Sequence, residues 1–125
     1  MDQFPRTTVV GISLPRLIIG SNWFKGYSHT SVPKDRFIVE FQTCERLAEI
    51  FTTFMSYGVD AYMGGDPGPM VMDAIHAAEQ RAGRKLILIL TPSFNLLPGG
   101  DPQNDPEPVL DHMRELGATF CFPHQ

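Results

Sequence analysis

The feature that most constrains the fold is a strict alternation of short apolar runs with amphipathic helical stretches. Residues 16–20 (RLIIG) form an apolar run closed by Gly20, the pattern of a buried strand. Residues 34–57 carry Phe37, Phe41, Cys44, Ala48, Phe51 and Met55 at steps of three or four, with Leu47, Ile50 and Phe54 widening the stripe. That spacing predicts one long helix with a single buried face. Ser31 suits its N-cap, Pro33 its first turn and Gly58 its stop. Glu40, Glu45, Arg46 and Glu49 fall on the opposite, solvated side.

The pattern then repeats. Residues 59–63 (VDAYM) predict a second strand and residues 70–82 a second helix, stopped by Gly83. Residues 85–90 (KLILIL) predict a third strand, apolar enough to be covered on both faces. A loop rich in Pro, Gly, Asn and Asp runs over residues 91–104. Asp105 caps a third helix that begins with Pro106 and Glu107, with Val109, Leu110, Met113 and Leu116 as its apolar positions and Gly117 at its end. Residues 118–122 (ATFCF) predict a fourth strand, and Pro123-His124-Gln125 follow it. Residues 1–14 are weakly patterned and read as a lead-in.

Four strands alternating with three helices imply an α/β fold with parallel strands joined by crossovers. An open doubly wound sheet and part of a closed barrel both satisfy the pattern. No Gly-x-Gly-x-x-Gly follows the first strand, which weighs against a dinucleotide-binding sheet. Gly64-Gly65-Asp66-Pro67-Gly68 lacks the Lys-Ser/Thr of a phosphate-binding loop. The favoured reading is a (βα)4-type half of a TIM-like barrel in one domain over residues 1–125, since eight strands take about 250 residues.

In such a barrel the chemistry sits at the C-terminal strand ends. That rule selects Ser21, Asn22, Trp23, Lys25, Tyr27 and His29 after the first strand and Asp66 after the second. It selects Thr91, Ser93 and Asn95 after the third, and His124 and Gln125 after the fourth. Aromatic groups with polar tips suit a ligand wall, so Ser21, Asn22, Trp23, Tyr27, Asp66, Thr91 and Gln125 are the expected substrate-binding residues. His124 and His29 are the expected acid/base pair. His76 and His112 fall within helices and read as surface or packing residues. Asp60, near a strand start, reads as structural. Cys121 and His124 are three apart on a strand and point to opposite faces, so no metal ligation is assigned to them.

Composition narrows the function classes. With 14 acidic against 10 basic residues and no Lys/Arg cluster, nothing resembles a nucleic-acid footprint. The longest aliphatic run is residues 86–90, far below the roughly 18 residues of a membrane span. The opening residues make a poor signal peptide. Cys44 and Cys121 read as buried thiols in a reducing, cytoplasmic setting.

The segment Leu17-Ile18-Ile19-Gly20-Ser21, the approach Gly58-Val59-Asp60-Ala61 and the closing Pro123-His124 together resemble the N-terminal half of an aldo-keto reductase-like barrel. That family carries an Asp and a Tyr after strand two, a Lys ending strand three and a His ending strand four. The resemblance implies Asp60 and His124 as counterparts. Tyr62 stands only two residues past Asp60, and Thr91-Pro92 stand where the family has its Lys. The nicotinamide-binding segments of the family belong to its second half. The sequence assigns no cofactor.

Two functions follow as expectations. One is part of a barrel enzyme acting on a small polar substrate, carbonyl-bearing or sugar-like, and inactive alone. The other is a non-catalytic half-barrel that associates with a second copy or a missing C-terminal half. A metal-dependent isomerase or hydrolase barrel is a third reading.

Overall fold

The computed structural model describes residues 4–93 and 106–123. It opens with a feature absent from the sequence expectation. The lead-in folds as an antiparallel hairpin of β1 (Arg6–Val9) and β2 (Ile12–Pro15), paired from Arg6↔Pro15 to Val9↔Ile12. Its two-residue turn, Val10-Gly11, puts both residues at positive φ, 48° and 80°. Such turns favour Asn-Gly or Asp-Gly. A β-branched Val there hides the hairpin from a reading of turn residues.

The remaining strands form one parallel sheet in the order β3 (Ile19–Gly20), β4 (Ala61–Gly64), β5 (Ile87–Leu90), β6 (Phe120–Cys121). The four expected strands are therefore present, parallel and in sequential order, though each is shorter than its apolar run. Ile19 pairs with Tyr62, Tyr62 with Leu88, and Ile89 with Phe120.

Five helices stand among the described residues, where three were expected. The first strand-end loop contains α1 (Asn22–Lys25), closed by Gly26 at φ 78°. A Cβ on Gly26 would meet Val39 Cγ2 at 2.7 Å and the Asp35 carbonyl oxygen at 2.9 Å, so only glycine fits. The single long helix is instead two, α2 (Val32–Phe41) and α3 (Cys44–Ser56). Gln42 and Thr43 are extended, and Thr43 Oγ1 accepts from the Arg46 N–H at 3.3 Å, starting a new helix. Threonine competes with helical hydrogen bonding in this way. The stripe stays in phase across the break, so periodicity alone cannot reveal it. Phe37 and Phe41 are 58% and 45% exposed, not core residues as the stripe implied. The Ser31 cap is as expected, its Oγ accepting from the Lys34 N–H. Helices α4 (Gly68–Ala82) and α5 (Pro106–Glu115) complete the set, with Gly83 in the left-handed region after α4.

The core lies on one side of the sheet. Ile19, Tyr62, Leu88 and Leu90 form a single buried cluster with Phe24 of α1, Leu47, Phe51 and Met55 of α3, Val71 and Ile75 of α4, and Met113 of α5. The other face, Ala61, Met63, Ile87, Ile89 and Phe120, packs with Leu14 of the hairpin. Asp60 anchors that hairpin at the N-terminal strand ends. Arg6 Nη1 donates to Asp60 Oδ1 at 2.8 Å and to the Gly58 carbonyl at 2.9 Å, and Arg84 lies 3.5 Å from Asp60 Oδ2. Asp60 is thus a structural residue, as its position suggested.

Cys44 is half-buried and Cys121 is exposed, both as free thiols. The buried reading fails for Cys121 because β6 is an edge strand of only two residues. Among the described residues no helix is long and apolar enough to cross a membrane.

Candidate functional site

The C-terminal ends of β3, β4 and β5 open onto two adjoining hollows. The larger, about 750 Å³, has a floor of Gly20, Met63 and Gly64 and a wall of Ser21, Asn22, Trp23 and Tyr27. Lys25, Thr91 and Ser93 complete its polar rim. The smaller, about 460 Å³, lies between Asp66 and His112 and shares Gly65, Thr91 and Ser93 with its neighbour.

Each group reaches the rim for a local reason. Ser21 precedes α1 and makes no side-chain cap bond; its Oγ lies beside the Tyr62 phenol at the floor of the cleft. The short α1 turns Asn22 and Trp23 outward while Phe24 points into the core, against Phe51 at 5.3 Å between ring centroids. Gln42 Nε2 donates to the Trp23 carbonyl at 2.9 Å, tying this wall to the α2–α3 elbow. The loop beyond α1 is fixed by the Ser28 N–H donating to Asp35 Oδ1 at 2.7 Å. The Ser28 hydroxyl, and after it that N–H, holds the Asp35 carboxyl below the usual carboxylate range.

Asp66 is the most engaged polar residue of the rim. Its Oδ1 accepts from the Gly68 N–H at 2.9 Å, and its Oδ2 lies 2.7 Å from His112 Nε2. Lys25 Nζ donates to its backbone carbonyl. The His112 contact, the Gly68 bond and the nearby Lys25 charge hold the Asp66 carboxyl below its ordinary value. When Nε2 carries the proton bonded to Asp66, His112 Nδ1 is left as an acceptor, the arrangement of an oriented general base.

Beneath this rim Tyr62 is fully buried, and its phenol lacks a hydrogen bond of ordinary geometry. Burial pushes it up to about 12, against a smaller pull from the neighbouring Ser21 hydroxyl.

The structure therefore brings Ser21, Asn22, Trp23, Tyr27 and Thr91 together in one cleft, with Asp66 in the adjoining hollow. His29 stands apart from that lining. Its Nε2 is 3.0 Å from Asn22 Nδ2, and its backbone is left-handed at φ 57°. His124, Gln125 and Asn95 lie outside the described residues. The sequence gives His112 a surface or helix-packing role; the structure leaves it half exposed but sets it against Asp66 at the smaller hollow, a contact the sequence reading missed. It meets a partner 46 positions away, and helical periodicity carries no trace of such a contact. His76, by contrast, borders a hollow of about 370 Å³ with Glu79 and Arg84, near the N-terminal end of β5. Among the described residues no group of three His, Cys, Asp or Glu side chains is arranged to hold a metal ion. Comparison with known proteins returns no matching family model, no matching curated protein and no matching solved structure.

Proposed function

We propose that the chain supplies one wall of a (β/α)8-type barrel enzyme whose C-terminal cleft takes a small polar substrate, carbonyl-bearing or sugar-like. The sequential order β3-β4-β5-β6, with α1, α3, α4 and α5 all packed on one face, supports the barrel reading. The observation that carries the functional reading is the Asp66–His112 pair, set beside a rim of hydroxyls and an amide at those strand ends. His112 acts as general acid/base and Asp66 orients it. Ser21, Asn22, Thr91 and Ser93 bind substrate oxygens, and Trp23 and Tyr27 form an apolar wall. The resemblance to aldo-keto reductase-like barrels agrees with a carbonyl substrate. The same reading puts the protein in a reducing compartment such as the cytoplasm.

Trp23 is the only tryptophan and is 54% exposed on the cleft wall, so its emission reports occupancy directly. Titration with glyceraldehyde, dihydroxyacetone and glucose should give a saturable change with at least one of them. For any compound turned over, His112→Ala should slow the reaction about 100-fold or more. Unchanged Trp23 emission throughout the series would exclude the substrate class.

A second reading has one observation in its favour. Leu17 and Ile18 beside β3, and Phe122 after β6, are exposed apolar residues at the two edges of the sheet. Parallel edges unpaired among the described residues favour association with a second copy or with further strands. Sedimentation equilibrium decides it, and a monomer at all concentrations would count against it.

A further inference from the structure

The larger cleft is lined by one charged side chain among the described residues, Lys25. The chain as a whole is acidic, with a net charge of -4, so this cation is a local exception. Its Nζ donates to the Asp66 backbone carbonyl, and its charge acts on the nearby Asp66 carboxylate without an ion pair forming between them. None of the salt bridges among the described residues involves Lys25. The Asp66 carboxylate has both oxygens engaged, Oδ1 by the Gly68 N–H and Oδ2 by His112. An ammonium has three N–H donors, so two remain available at Nζ.

We propose that the cleft selects a small substrate bearing an anionic oxygen group, a carboxylate or a phosphate ester, which pairs with Lys25. The proposal rests on the reading of the cleft as a substrate site. Ser21, Thr91 and Ser93 take hydroxyl or carbonyl oxygens of the same molecule. The wall shared through Gly65, Thr91 and Ser93 then leads its reacting end toward His112. Charge-assisted hydrogen bonds are stronger than neutral ones, so the anion fixes the orientation of a molecule too small to be held by apolar contact.

Three compounds with one carbon skeleton test this: glycerol, glycerate and glycerol 3-phosphate, each titrated against Trp23 emission. The anions should bind about 10-fold or more tightly than glycerol, the size of one hydrogen bond to a charged group. Glycerate against glycerol 3-phosphate decides between carboxylate and phosphate. Lys25→Gln should remove the advantage of the anions over glycerol, while Lys25→Arg should retain it. Far-ultraviolet circular dichroism of both variants guards against a folding defect. Glycerol binding as tightly as the anions, or Lys25→Gln binding them as well as the native chain, overturns the anion proposal and leaves the cleft reading standing. Silence of Trp23 with all three compounds overturns both.

Discussion

Tyr62 Oη and Ser21 Oγ converge on the volume that a side chain on Gly64 would occupy. A Cβ there would lie 2.9 Å from the phenol and 2.6 Å from the hydroxyl, with Ser21 Cβ at 2.7 Å. Glycine at the end of β4 is what lets the first and second strand-end loops close on each other. Gly64→Ala should therefore cost about 1–3 kcal/mol by overpacking and push Ser21 into the cleft. Gly65→Ala, whose Cβ meets nothing nearer than 3.9 Å, should be tolerated. Urea unfolding of the two variants checks the contrast, and equal costs would refute it.

The buried phenol of Tyr62 predicts a substitution that does not destabilise. An unpaired buried hydroxyl is a desolvation cost, so Tyr62→Phe should leave stability unchanged or raise it by up to ~1 kcal/mol. A loss well beyond that would show that the hydroxyl has a partner. The raised phenol also favours the folded state below the ordinary tyrosine value of 10.0. That contribution is lost as pH climbs through about 12, and Tyr62→Phe should abolish the loss.

Asp66 predicts the opposite pH sign. Its carboxyl is held low, so its contribution to stability is present above the ordinary value of 3.8 and disappears as pH falls through the folded value. Carboxyl NMR should place Asp66 below 3.8 and move it upward in His112→Ala. Because the pair is half exposed, the stability change should be only about 0.2–1 kcal/mol, as for surface ion pairs. No movement in the variant would remove His112 as the cause.

Asp60 sits at the other end of the strands and should affect stability without affecting ligand binding. Asp60→Asn weakens contacts to both Arg6 and Arg84 and should cost about 2 kcal/mol, the scale of hydrogen bonds to charged groups. Denaturant midpoints, compared with Trp23 titrations of the same variant, separate frame from site. Impaired binding with unchanged stability would reverse the assignment.

What was legible in the sequence follows from what is local. The runs around Tyr62 and Leu88 are legible because central strands buried on both faces leave a continuous apolar signature, while those around Ile19 and Phe120 are legible as short apolar runs although they form partly exposed edges. The rule that chemistry collects at C-terminal strand ends brought Ser21, Asn22, Trp23, Tyr27, Asp66 and Thr91 to one edge. Three things stayed hidden. The hairpin turns on a Val at positive φ. The break at Gln42 and Thr43 keeps the apolar stripe in phase. His112 finds its carboxylate across 46 positions, through the packing of α5 beside the loop after β4.

That break divides the site into unequal mechanical parts. Helix α2 enters the core through Ile38 alone, while α3 buries Leu47, Ala48, Phe51 and Met55. Local opening follows the weaker attachment. Opening is therefore expected at α2, while Trp23 and Lys25 on α1 are held to the core by the Phe24 between them.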